Sequence, residues 1–131
     1  MSQSMPVLQK TFAAATNLAA DQFLFMKMSA DFTADLCGDN ELAIGTLQNM
    51  PAAAGRGAVV RLLGTTKLRV DGATGGGGAA ILAGTPLKCS ATGLGVKASA
   101  AKDVVGAIAL QGSTAVGDII EALLVTYYIV A

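Results

Sequence analysis

The chain has 131 residues, nine basic and nine acidic side chains and a formal net charge of zero; 53% of it is hydrophobic and 14% is charged. That length describes one compact domain, and the charge balance excludes the surplus of Lys and Arg that phosphate neutralisation requires, so no nucleic-acid partner is expected. Ala and Gly supply nearly a third of the residues, so the hydrophobic fraction overstates the core, although the composition is that of a folded chain.

Residues 1–20 have mixed polarity, contain Pro6, and pass into an Ala-rich stretch from Phe12 to Ala20 that reads as a strand, a short helix or an arm. From Gln22 the sequence is QFLFMKMSADFTADL, rich in aromatic, Met and β-compatible residues without a helical period, and it then meets Gly38, Asp39 and Asn40. This predicts a strand pair or a bent strand closed by a turn. The clearest periodicity lies in GAVVRLLGTTKLRV: Ala58, Val60, Leu62, Thr66, Leu68 and Val70 share one parity, while Arg61, Lys67 and Arg69 fall on the other with Val59, Leu63 and Thr65. One face is apolar and the other cationic, as in a half-buried strand. Gly64 interrupts that alternation and predicts a bend or bulge.

The segment DGATGGGG (71–78) follows, and four successive glycines predict a surface loop instead of a regular element. Beyond it, the short runs AAILAG, PLKCSA, GLGVKA and VVGAIAL are separated by turn residues, which favours an all-β sandwich or barrel. Asp118 is a possible helix cap, but the β-branched and aromatic residues from Ile119 to Val130 tip the last run to a strand. Both its parities are apolar apart from Glu121 and Thr126, so it lies centrally in the core or turns one face to another chain. An internal echo links AIGTLQN (43–49) with VGAIALQG (105–112), and GAVVRLL (57–63) with GDIIEAL (117–123) at a shift of 60 residues. Two related β units are expected to build one core.

Little in the chain points to catalysis. There is no His, which removes the usual general base near neutral pH and the commonest transition-metal ligand. Asp31, Asp35, Asp39 and Glu41 lie close in sequence, yet a glycosidase holds two carboxylates across a cleft and the spacing is not that of an EF-hand; solvated loop charges are the plain reading. The glycines at 75–78 and in GLGVKA lack the flanking pattern of a phosphate cradle. Cys37 and Cys89 are read as two reduced, mostly buried thiols, able to form at most one disulfide. Met26 and Met28 alternate as core strand residues do, with a partner groove as the other reading of the Met content. The run from Ile119 to Ala131 is too short to cross a membrane as a helix, and MSQSMPVLQKTF has no leader pattern, so no membrane partner and synthesis in a cytosol are expected.

Three blocks in order, AIGTLQNMPAAAGRGAVVRLLGTTKLRV, LAGTPLKCSATGLGVKAS and VVGAIALQGSTAVGDIIEALLV, resemble the small Gly/Ala-rich capsid decoration (cement) proteins of tailed bacteriophages. The resemblance runs from about Gln22 to Val130; the GGGG stretch and the ending TYYIVA depart from it. It implies an all-β, single-domain, β-barrel-like or β-tulip fold over residues 21–131, with residues 1–20 an N-terminal arm or first strand. It also implies a protein without catalytic activity or cofactor, made in the host cytoplasm and located on the outer surface of the virion. There it would cluster as a homotrimer and clamp neighbouring copies of the major capsid protein.

On that reading the capsid or subunit interface includes Pro6, Val7 and Leu8, through strand addition by the arm. It also includes Arg61, Lys67 and Arg69, which as a free cationic face would dock on an acidic protein surface. Tyr127 and Tyr128 in the atypical ending complete the set. Removing Met1 to Lys10 leaves the melting temperature unchanged if the segment is an arm, and impairs folding if it is a strand of the domain. The rivals are a ligand- or glycan-binding β module, for which Tyr127 and Tyr128 are the only neighbouring aromatic platforms and would point to opposite faces, and a small enzyme using carboxylates or a metal.

Overall fold

The computed structural model describes residues 4–73 and 80–131; the expected loop at Gly75 to Gly78 lies outside them. The described residues form nine strands and no helix: β1 (Pro6–Ala14), β2 (Phe25–Ala30), β3 (Thr33–Leu36), β4 (Gly45–Leu47), β5 (Gly57–Asp71), β6 (Pro86–Cys89), β7 (Gly95–Lys97), β8 (Val104–Ala109) and β9 (Val116–Ile129). The fold is all-β and barrel-like. Its strands follow the order β1-β3-β2-β4-β5-β7-β6-β8-β9, with β1–β5 and β5–β9 contacts in addition. These pairings trace two five-strand circuits that share β5.

The two circuits have the same wiring. In the first, β1 runs parallel to β3, while β2–β3, β2–β4, β4–β5 and β1–β5 are antiparallel. In the second, β5 runs parallel to β7, while β6–β7, β6–β8, β8–β9 and β5–β9 are antiparallel. Registers correspond as well: Met26↔Leu36 is matched by Leu87↔Lys97, and Thr46↔Arg61 by Ile108↔Leu123. So do the backbone kinks, since positive φ recurs at Phe23 and Gly84, Phe32 and Gly93, Asn40 and Lys102, and Gly55 and Gly117. The echo in the sequence is thus a structural duplication. Its offset between β5 and β9 is 62 residues by strand register, two more than the sequence match suggested, and a two-residue slip leaves every side chain on its expected face.

The seams explain why neither circuit is a clean barrel. β5 and β7 meet at Val70↔Gly95, and β2 and β4 over Phe25↔Thr46 and Met26↔Gly45. Each circuit nevertheless encloses its own core. Phe12, Leu18, Leu24, Met26, Leu47 and Val60 fill the first; Leu68, Ile81, Leu87, Ala107, Ala109 and Ala122 fill the second, joined by Phe25 and Cys37 from the first circuit's strands.

β5 has the predicted alternation, with Ala58, Val60, Thr66, Leu68 and Val70 buried. The expected irregularity at Gly64 is present: its φ is +101°, and a Cβ there would strike the Met5 carbonyl and the Val7 nitrogen as β1 crosses closely. The β1–β5 register slips at the same place. Where β5 passes from one circuit to the other, the buried Thr66 hydroxyl donates to the Lys67 carbonyl at 2.9 Å and lies 2.8 Å from the Thr46 hydroxyl. Gln48 Nε2 donates to both threonines, at 2.9 and 3.0 Å. A buried polar junction is tolerable only when its members are paired in this way.

Several expectations need correction. Of the two readings of residues 1–20, arm or first strand, Pro6–Ala14 takes the second: it is a strand of the domain's own sheet, paired with β5 from Pro6 to Ala13. The described part of the run AAILAG, residues 80–84, forms no strand; Ile81 makes one isolated bridge to Ser113. Met26 is fully buried, but Met28 is 40% exposed, because β2 runs past the edge of its core at its far end. The last strand is not central: over its first part Ile120, Ala122 and Leu124 are buried while Ile119 and Leu123 on the other face are exposed, and Thr126 to Ile129 are exposed on both sides.

Candidate interaction surface

The three cations expected on one free face are held apart by local structure. Arg61 is buried at 7% exposure. Its guanidinium donates to Gln9 Oε1 from Nε at 2.9 Å and Nη2 at 2.6 Å, and to the Thr65 carbonyl at 3.2 Å. Burial lowers its pKa. Arg61 therefore ties β1 to β5 and is withdrawn from any outside partner. The parity of Arg61 was legible in the sequence, but its cover was not, since β1 reaches it from 52 residues away. Arg69 donates to the Ala20 carbonyl at 3.0 Å, and the Lys67 ammonium sits 5.9 Å from the Phe23 ring centroid. Both are half-buried beneath the segment that leads into β2.

Pro6, Val7 and Leu8 stand on the opposite side of this account. All three are exposed, Val7 at 76%. Among the described residues, Pro6 to Phe12 pair with β5 along one edge only; the partner on the other edge, β3, begins at Ala13. An edge strand with one unpaired side and apolar side chains accepts a further strand.

Tyr127 and Tyr128 are 51% and 44% exposed. As neighbours in β9 they point to opposite faces. Tyr128 lies opposite Val105, while Tyr127 lines an open groove of about 380 Å³ with Met28, Leu42, Leu62, Leu63 and Val125. Phe12 forms part of its wall, and among the described residues no charged side chain lines it. Leu63, 40% exposed, is also the cross-strand partner of Leu8. The groove thus connects β1, β5 and the end of β9 in one apolar surface. Its members come from sites scattered over the chain, and in the sequence it was signalled by the ending TYYIV and by the partner-groove reading of the Met content.

The duplication shows what is unusual here. By register, Thr66 corresponds to Tyr128 and Leu68 to Val130. Thr66 and Leu68 have no exposure, because β5 continues into a second circuit that closes over it. Tyr128 occupies the same place in β9, and among the described residues nothing plays the role of that second circuit. An exposed aromatic on a core-type strand marks an interaction site more strongly than a scattered apolar residue does.

The carboxylates are dispersed. Asp31 is exposed in the β2–β3 turn, Asp35 is half-buried and accepts from the Leu36 amide at 2.8 Å, and Glu41 pairs with Lys27 at 2.7 Å. Among the described residues no group of three or more potential ligands is arranged to hold a metal ion.

No protein-family model matches the chain, and no curated protein matches it by sequence. Among solved structures it is similar in fold to the N-terminal base of the head fibre protein gp8.5 of bacteriophage phi29. The TM-score is 0.61 at 16% sequence identity, over 90% of this chain and 93% of that one.

Proposed function

We propose that this chain is a non-enzymatic structural protein of a phage virion, a decoration protein that binds the outer surface of the head and bridges neighbouring copies of the major capsid protein. The observation that carries the reading is the uncovered apolar surface shared by β1, β5 and the end of β9. Its presence on a fold like that of a phage head fibre base supports the head as its place of action. The block resemblance to cement proteins supports the same assignment.

The mechanism is mechanical. A shell protein that binds only one lattice state shifts the equilibrium toward that state by its differential affinity. Contacts of a few kcal/mol suffice, because many copies act on one shell. The zero net charge permits dense packing without strong self-repulsion. As a homotrimer, each copy would set this surface against a different face of its neighbour, as a closed cyclic contact requires.

The test is co-sedimentation of the full chain with decoration-free heads, compact and expanded, with bound copies quantified on gels. Saturable binding to expanded heads at a stoichiometry matching the lattice is expected, and Val7→Asp and Tyr127→Asp should each weaken it at least tenfold while leaving the fold intact. Absence of binding to either form of the head would overturn the proposal and bring the ligand-binding module forward.

A further inference from the structure

Cys37 and Cys89 are free thiols with 0% and 1% exposure, and both belong to the second core. They reach it from different circuits. Cys37 follows β3 in the first, where its amide donates to the Phe25 carbonyl at 3.0 Å; Cys89 ends β6 in the second, where its carbonyl accepts from the Asn40 amide at 2.9 Å. That bond holds the turn after Cys37 against the end of β6. Within that shared core the Cys37 thiol donates to the Glu41 carbonyl at 3.6 Å and the Cys89 thiol to the Ser90 carbonyl at 3.3 Å. The duplicated fold does not call for sulfur at either place. The register partner of Cys37 is Ala98 and that of Cys89 is Met28.

We propose that Cys37 and Cys89 form a disulfide cross-linking site that staples the two circuits together when the protein meets a small-molecule disulfide oxidant. The step is thiol–disulfide exchange. The Cys37 thiolate attacks one sulfur of the oxidant, the oxidant S–S bond breaks, and the first small thiolate leaves and takes up a proton. Deprotonated Cys89 then attacks the Cys37 sulfur, the mixed disulfide breaks, and the second small thiol departs. Two protein thiols are oxidised and one oxidant disulfide is reduced to two thiols.

The local electrostatics set the order of attack. The neighbouring Cys89 thiol lowers the Cys37 pKa, with Lys27 assisting, whereas the Cys37 thiol and burial raise that of Cys89. Cys37 is therefore the attacking sulfur and Cys89 the resolving one. Burial makes the reaction slow, since the oxidant enters only when the junction opens. The bond would close a loop of some fifty residues and stabilise the native chain chiefly by restricting the unfolded one.

Reduced full-length protein is incubated with hydroxyethyl disulfide, in native buffer and again just below its thermal midpoint. The products are read by intact mass, peptide mapping and thermal melting. Loss of two hydrogen masses without a retained adduct, a Cys37–Cys89 cross-linked peptide, and a reductant-reversible rise in midpoint on the order of 10 °C are expected. Cys89→Ala should stop at a mixed disulfide on Cys37, and if that variant does not fold the wild-type peptide map decides alone. A stable adduct on wild type, chain-to-chain dimers, no reaction under either condition, or an unchanged or lowered midpoint would each overturn the assignment.

Discussion

The two circuits are one design carried out twice with different materials. The first fills its core with large side chains, Phe12, Leu24, Met26 and Leu47 among them, while the second brings Ala107, Ala109 and Ala122 together around Leu68, Ile81 and Leu87. Each carries an ion pair at the same position, Lys27–Glu41 at 2.7 Å and Lys88–Asp103 at 2.8 Å. The first pair is exposed; in the second the Asp103 side chain is 6% exposed and accepts from the Ser99 and Ala100 amides as well. The same wiring therefore tolerates a shift of stabilisation from apolar volume to a buried carboxylate. What distinguishes the circuits functionally is their outer strand, since β5 is covered by a further circuit and the end of β9 is not.

The largest expected effect comes from taking the first circuit apart. Deleting Met1 to Lys10 removes most of the β1–β5 ladder and leaves buried Arg61 without Gln9. A loss on the order of 5 kcal/mol is expected in denaturant titration, a large part of the stability of a small domain. An unchanged midpoint would restore the picture of a detached arm. Next come the matched core truncations Met26→Ala and Leu87→Ala, at equivalent and fully buried positions. Each should cost about 3 kcal/mol, and a marked inequality would show that the circuits do not share the load.

The ion pairs provide a finer comparison. Asp103→Ala strips acceptors from Lys88 and two amides and should cost about 2 kcal/mol, whereas Glu41→Ala should fall within the error of the same titration. Acid should separate them too. Burial pushes the Asp103 pKa up, but the hydrogen bond from Lys88 and the two amides outweigh it and hold the carboxyl below its ordinary value of 3.8. A depressed folded-state pKa contributes stability that is present above the unfolded value and lost as pH falls through the folded one. Stability should therefore decline below about pH 4, and Asp103→Asn should flatten that decline.

Period-two patterning made β5 legible, because a strand with one covered face must alternate, and Gly64 was legible as its irregularity. The duplication was visible in the β4–β5 and β8–β9 segments. A further signal, KMSA at 27–30 against KCSA at 88–91, lies at a shift of 61 residues and places the two ion-pair lysines in register. AAILAG misled because a short apolar run signals burial without specifying a pairing partner; Ile81 is buried, but in a bridge.

By itself, then, the amino-acid sequence determined the local matters: an all-β chain, the faces of β5, the kink at Gly64, the repeat, and an ending too apolar for its position. These follow from side-chain alternation and backbone sterics, which act over a few residues. Only the tertiary structure decided that Arg61 is buried beside Gln9, that Cys37 and Cys89 share one core, and that Met28, Leu63 and Tyr127 share a groove. Those outcomes depend on which distant strands close each circuit, and burial belongs to that closure, not to any residue alone.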